Sequence, residues 1–228
     1  EALVWSKLHH KNIVPLLGFA TIFDASASLI SPWQERGNAH GYVQDRKVDP
    51  RPLCIQLVGV ARGLDYLHSH ASGSIVHSDL KGENVLIADD GRALLADFGS
   101  SFLVESSVAV TRVGPRRGGT PRWMAPELFD DKTPSVQSDI WAFGMTALEL
   151  FTRQEPFQGI STGAVMARII RGPPDLPAAE LTCDRLTDAW RSICMGCWQQ
   201  DPASRPSASD VLANIGRVGC SLFEGRLM

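Results

Sequence analysis

Apolar and polar positions fall into blocks along this chain, and their spacing changes from one region to the next. Leu3, Val4 and Leu8, with Trp5, mark the apolar face of a short opening helix that ends near His9-His10-Lys11-Asn12. Residues from Ile13 to Phe23 predict a strand, and Ser28 to Trp33 a second, shorter one. The stretch from Gly37 to Pro52 is polar and turn-rich, suited to a hinge and connector. Leu53, Leu57, Val60, Ala61, Leu64 and Leu67 recur at three- and four-residue steps, the pattern of an amphipathic helix.

A compact strand pair follows. Asn84-Val85-Leu86-Ile87-Ala88 and Arg92-Ala93-Leu94-Leu95-Ala96 flank Asp89-Asp90-Gly91, a hairpin signal because Gly91 tolerates positive φ. Residues 100–122 lack periodicity and are rich in Ser, Gly, Arg and Pro, which predicts a loop. Four helices are expected after it, at about 138–152, 162–171, 187–198 and 207–217, with Ser207 or Ser209 capping the last. The order is mixed at the front and helical at the back: an α+β plan with two unequal lobes.

Bulk composition narrows the function classes. The chain has 228 residues, 44% hydrophobic and 21% charged, enough for one large domain or two small lobes. A net charge of -3 gives no footprint for nucleic acid or an acidic membrane surface. The apolar run Ile140 to Leu148 is half of the ~18 residues a membrane span needs. No secretory signal opens the chain, which starts Glu1-Ala2-Leu3-Val4-Trp5, and the missing Met suggests residues upstream. Five cysteines at irregular spacing do not form a disulfide framework. Cys194 and Cys197 make a lone CxxC without a second ligand pair, read as two helix thiols that pack rather than bind metal. An intracellular, cytoplasmic protein is expected.

Three segments carry candidate chemistry. His77-Ser78-Asp79-Leu80-Lys81-Gly82-Glu83-Asn84 enters the hairpin, Asp97-Phe98-Gly99 leaves it, and Ala125-Pro126-Glu127 closes the loop. A tight hairpin puts Asn84 and Asp97 near the same end of paired strands, with Asp79 just before them. Phosphoryl transfer from ATP needs this set. Asp79 can accept a proton from an attacking hydroxyl, Asp97 and Asn84 offer hard oxygen ligands to Mg²⁺, and Lys81 can neutralise the moving phosphoryl group. Gly99 is expected to supply the backbone turn that aims Asp97 inward.

With these segments in this order, the chain resembles the eukaryotic protein-kinase family, in its tyrosine-kinase-like branch. The resemblance implies a two-lobed fold: a partial small lobe over 1–33, then the hinge and helical lobe over 34–228. Glu1 would belong to the family's C-helix and pair with a lysine on strand three. Ser31 would be the gatekeeper; the Pro32 carbonyl and Gln34 N–H would meet adenine, and Leu86 would lie beneath it. Asp139, in Ser138-Asp139-Ile140-Trp141, would anchor the catalytic loop, and Arg205 would pair with Glu127. ATP and Mg²⁺ are the implied cofactors and a protein is the implied substrate. Lys81 two residues after Asp79, with Thr120 able to bond both, points to Ser or Thr as the acceptor.

The pattern departs from the family in two places. No Gly-rich loop and no Val-Ala-Ile-Lys strand precede Glu1, so this chain by itself is expected to bind ATP poorly and to leave apolar surface uncovered. Ser78 stands where the family has arginine, so Thr111, Ser106 or Ser107 is expected to matter less as a phosphorylated on-switch. Arg112, Arg116 and Arg117 are read as a solvated basic stretch. A non-catalytic scaffold is the competing function, favoured by the missing strands and opposed by the retained Asp79, Asn84 and Asp97. Small-molecule phosphotransfer ranks below both. His9, His10, His68 and His70 are read as surface or helix-end residues. The oligomeric state is left open.

Overall fold

The computed structural model describes residues 2–21, 28–45, 53–104, 119–130, 132–182 and 185–224. The chain opens with α1 (Ala2–Trp5), extended by turn bonds from Lys7 N to Val4 O and Leu8 N to Trp5 O. Strands β1 (Gly18–Ala20) and β2 (Ser28–Ile30) pair antiparallel, Phe19 opposite Leu29. The strand expected from Ile13 shrinks to these three residues, and Phe23 lies outside the described residues. Its first part is claimed elsewhere: Ile13 bridges Leu95, and Val14 N donates to Leu95 O at 2.9 Å. Pro15, next in line, has no N–H to give a ladder.

The polar connector contains a helix that periodicity did not reveal. Helix α2 (Ala39–Gln44) is six residues long and buries only Ala39 and Val43, too little for a repeat to register. Its start is written in chemistry instead, because Asn38 Oδ1 accepts from Gly41 N at 2.8 Å. The rest of the connector, 46–52, lies outside the described residues.

Helix α3 (Leu53–His68) buries the expected stripe of Leu57, Val60, Ala61, Leu64 and Leu67. Gly63 lets the strand behind it come close, since a Cβ there would meet the Leu95 side chain at 2.7 Å. That strand belongs to the expected hairpin, β4 (Val85–Ile87) with β5 (Ala93–Leu95), in which Leu86 faces Leu94. Gly91 turns it with φ 85°. One further pair was not foreseen: β3 (Ser74–Val76) runs antiparallel to β6 (Phe102–Val104), inside the region read as loop. Three-residue strands are too short to show alternation.

The remaining helices start within two residues of the expected positions, and the last runs on to Glu224, seven residues past its expected end. Helix α4 (Val136–Thr152) starts at a reciprocal cap between Ser135 and Ser138, and every residue from Ser138 to Phe151 is buried. It forms the axis of the helical part. Around it lie α5 (Thr162–Arg171), α6 (Asp188–Cys197) and α7 (Ala208–Glu224). Ser207 caps α7, exchanging bonds with Asp210, whereas Ser209 donates its hydroxyl to Asp65 on α3. Cys194 and Cys197 are fully buried on α6, and burial pushes the Cys194 thiol up to about 12. Among the described residues, no helix is long and apolar enough to cross a membrane. The whole is α+β: short antiparallel strand pairs followed by a helical mass.

Candidate active site

The loop between β3 and β4 is held from below by one carboxylate. Asp139, on the first turn of α4, accepts from His77 N at 2.8 Å through Oδ2 and from Ser78 N at 2.9 Å through Oδ1. His68 Nε2 reaches the same Oδ2 at 2.9 Å. This fixes Ser78 at φ 71°, a conformation that costs a non-glycine residue ~1–2 kcal/mol and persists only where neighbours enforce it. Leu80, with no exposed surface, plugs the loop into the core. His68 was read as a surface or helix-end group; it does end α3, but it turns inward to partner Asp139, a role no local pattern announces.

Above that anchor the polar groups converge. Thr120 donates its hydroxyl to Asp79 Oδ1 at 2.9 Å, and Lys81 Nζ donates to Thr120 Oγ1 at 2.9 Å. Asn84 spends its amide N–H groups on the carbonyl of Asp79, at 2.7 Å, and on its Oδ2, at 3.2 Å. The amide oxygen of Asn84 is thereby the atom left to bind a cation. Burial works against the Lys81 ammonium, but Asp79, Glu83 and Asp97 outweigh it and hold its pKa above the ordinary value. Asp97 is thus near enough to act on Lys81 electrostatically.

Asp97 follows β5 directly, and Ala96 N donates to Asn84 O at 2.9 Å across the hairpin end. The turn here is not where the sequence suggested. Asp97 itself is left-handed, at φ 60°, while Gly99 is not among the residues with positive φ. Gly99 N instead donates to Asp97 Oδ1 at 3.2 Å, closing a local turn around the carboxylate. Phe98 is fully buried, 5.7 Å from the ring of Trp5 and 5.4 Å from that of His77. His77 Nδ1 accepts from Asp79 N at 3.3 Å, so its proton sits on Nε2, 3.0 Å from Ala96 O.

A second buried carboxylate, missed from sequence, ties the outer parts together. Glu149 Oε2 accepts from Gly82 N and from Trp123 Nε1, both at 2.9 Å, and Oε1 lies 2.7 Å from His40 Nδ1 on α2. Burial raises its carboxyl pKa, against the lowering pull of those bonds. Gly82 is required here, since a Cβ would meet Glu149 Oε1 at 2.5 Å. The available signal was an acid inside an otherwise unbroken buried helix.

Pro32 and Gln34 lie beside each other at the end of the β2 segment, and Gln34 Nε2 donates to Pro32 O at 3.2 Å. They line a cleft of about 450 Å³ with Ile13, Ala88, Arg92 and Leu94. Leu86 is attached to the same connector, because Asn38 bridges it and Ile87 N donates to Gly37 O at 2.9 Å. Glu1 lies outside the described residues, as do Ser106, Ser107, Thr111, Arg112, Arg116 and Arg117. The acid donors form no cluster of three among the described residues. Even so, one carboxylate and one amide oxygen, both hard donors, suit an ion such as Mg²⁺ that keeps most of its own water.

Comparison with known sequences gives a consistent neighbourhood. The family model described as protein tyrosine and serine/threonine kinase matches residues 1–215. A mitogen-activated protein kinase kinase kinase of Drosophila melanogaster is 32% identical over 98% of this chain and 19% of its own length. Serine/threonine/tyrosine-protein kinase HT1 of Arabidopsis thaliana is 31% identical over 99% of this chain and 55% of its own length. Serine/threonine-protein kinase CTR1 from the same plant is 30% identical over 93% of this chain and 25% of its length. The chain therefore spans from about a fifth to about half of these relatives.

Proposed function

This chain belongs to the protein tyrosine and serine/threonine kinase family, and from that premise we propose that it carries out ATP-dependent phosphorylation of a protein on Ser or Thr. The observation that carries this reading is the bonded set Asp79–Thr120–Lys81 with Asn84, on a loop clamped by Asp139. Both oxygens of Asp79 are oriented by neighbours, which leaves the carboxylate fixed and still able to accept a hydroxyl proton. The acceptor oxygen attacks the γ-phosphorus, the bond to the bridging oxygen of ADP breaks, and the acceptor's proton passes to Asp79. Lys81, held protonated, offsets charge on the moving group. Mg²⁺, held by Asn84 Oδ1 and the Asp97 carboxylate, would neutralise the phosphates of ATP. Pro32, Gln34 and Leu86 are the proposed adenine contacts, and Glu1 the partner of a strand-three lysine. The division into 1–33 and 34–228 is proposed as the lobe boundary.

A Ser or Thr acceptor is favoured because Lys81 stands two residues after Asp79 and bonds Thr120, which itself donates to Asp79. The test is Asp79→Asn in the intact protein, with phosphoamino-acid analysis of the product. Loss of transfer in the variant and phosphoserine or phosphothreonine from the parent are expected. Phosphotyrosine alone would refute the acceptor assignment. Transfer unaffected by Asp79→Asn, or absent from the intact parent, would move the function to a binding module.

A further inference from the structure

Ser78 stands where the anchor of the catalytic loop meets the segment that carries Thr120. On one side its backbone is fixed by Asp139 Oδ1, which accepts from Ser78 N at 2.9 Å. On the other side Gly119, at φ 111°, comes so near that a Cβ there would meet the Ser78 carbonyl at 3.1 Å. The Ser78 side chain takes no part in either contact. The residue is 9% exposed, and its buried Oγ has no hydrogen-bond partner among the described residues. A buried hydroxyl left unpaired is costly, so one that persists next to a reacting group points to a partner of its own.

Beside it lies a hole of about 10 Å³, bordered by Ser78, Ser138 and Asp139 and by Gly119 and Thr120. That volume is the lower limit for one water and too small for any larger ligand. A buried water makes about three hydrogen bonds, and the lining supplies the groups for them. Ser78 Oγ can donate. Asp139 Oδ1 accepts only from Ser78 N among the described residues, which leaves it a lone pair. Ser138 Oγ donates to Ser135 O and accepts from Ser135 N, which leaves it one as well. We propose that Ser78 is a positioning residue that holds a single buried water, accepting from the Ser78 hydroxyl and donating to Asp139 and Ser138. The water ties the residue before Asp79 to the start of α4 and fills the hole that Thr120 borders. So supported, Thr120 Oγ1 keeps its 2.9 Å bond to Asp79 Oδ1. Without the Ser78 hydroxyl the water loses its donor and that bond loosens. The effect on rate rests on the phosphotransfer reading; the bound water does not.

The test begins with the unaltered protein. Oxygen-17 relaxation dispersion of the solvent counts waters held longer than the molecule tumbles, and a high-resolution crystal structure locates them. The expected result is one such water within hydrogen-bond reach of Ser78 Oγ, lost from the count in Ser78→Ala and in Ser78→Gly. The two variants separate the hydroxyl from the backbone. Glycine adopts φ 71° freely and alanine does not, so Ser78→Gly should have the higher melting point. In the intact protein both should nevertheless lower kcat by about tenfold, short of the ~10²-fold effect of a misplacement near 1 Å, with KM for ATP unchanged. A dry hole in the unaltered protein, an ion there whose occupancy follows the sodium concentration, or a count unchanged in both variants would overturn the proposal. So would a full rate in Ser78→Gly, because backbone strain and not the held water would then set the geometry. If neither variant folds, the occupancy of the hole in the unaltered protein still decides. An inactive parent would refute the phosphotransfer reading and leave the water result standing.

Discussion

Glu127 and Arg205 meet as a two-pronged ion pair across 78 residues, each carboxylate oxygen accepting from a different guanidinium nitrogen at 2.7 Å. The guanidinium also donates to Gln137 O and Gln199 O and lies 5.2 Å over the ring of Trp141. The pair therefore joins the segment after Thr120 to α4 and to the entrance of α7. Removing one partner leaves a buried charge without its counterion, at about 3–5 kcal/mol. Glu127→Gln is expected to cost that much, read as a lowered urea midpoint at unchanged slope. Arg205→Lys should cost nearly as much, because a point charge cannot reproduce the fork.

Thr120 is the hinge-pin between Asp79 and Lys81, bonded to both through its hydroxyl. Thr120→Ala should lower kcat by about 10²-fold, the scale of a misplacement near 1 Å, with little change in KM for ATP. Thr120→Ser restores the hydroxyl and should restore most of the rate. A Ser variant as slow as the Ala variant would mean that the methyl group, and not the bonded chain, sets the rate.

The long elements of this fold were legible because they repeat. Leu57, Leu64 and Leu67 on α3, the Asp89-Asp90-Gly91 turn and the apolar length of α4 each announce themselves within a few residues. The candidate site was legible as a group where chemistry is concentrated in one segment, as from His77 to Asn84. Contacts built from distant residues were legible only through the family resemblance, as for Glu127 with Arg205 and Asp139 with the loop at His77 and Ser78, and were otherwise hidden. His68 meets Asp139 across 71 residues, and Glu149 meets Gly82 across 67, so neither neighbourhood exists before the chain folds. Backbone strain was hidden as well. Nothing local distinguishes Asp97 from Gly99 as the left-handed residue, because the constraint comes from Phe98 being drawn under Trp5 and His77.

Glu149 supplies a pH prediction. Its folded carboxyl pKa is raised by burial above the ordinary 4.5, so the folded state binds its proton more tightly than the unfolded chain does. That contribution to stability is present in full below about 4.5 and is lost as pH rises through the folded value. Glu149→Gln can keep every bond, its oxygen accepting from Gly82 and Trp123 and its amide donating to a neutral His40. Its stability relative to the parent should therefore climb as pH rises from 4.5 upward, in urea titrations at half-unit steps. A difference that is flat with pH would mean that the carboxyl is not raised.

Gln56 gives the last prediction, and it runs toward greater stability. The side chain has no exposed surface, and among the described residues neither its amide oxygen nor its amide nitrogen has a partner. It sits on α3, one turn before Val60, on the helix face that buries Leu57 and Leu64. A buried amide left unpaired costs about 1–3 kcal/mol, whereas a methionine of similar length forfeits no bond and fills the same space. Gln56→Met should accordingly raise stability by about 1–3 kcal/mol, seen as a melting point higher by roughly 2–4 °C for each kcal/mol in a chain of this size. The site is remote from Asp79 in the bonding network, so kcat in the intact protein should stay unchanged. A destabilised variant would instead show that Gln56 is hydrated or bonded in solution, and that its amide has a structural task.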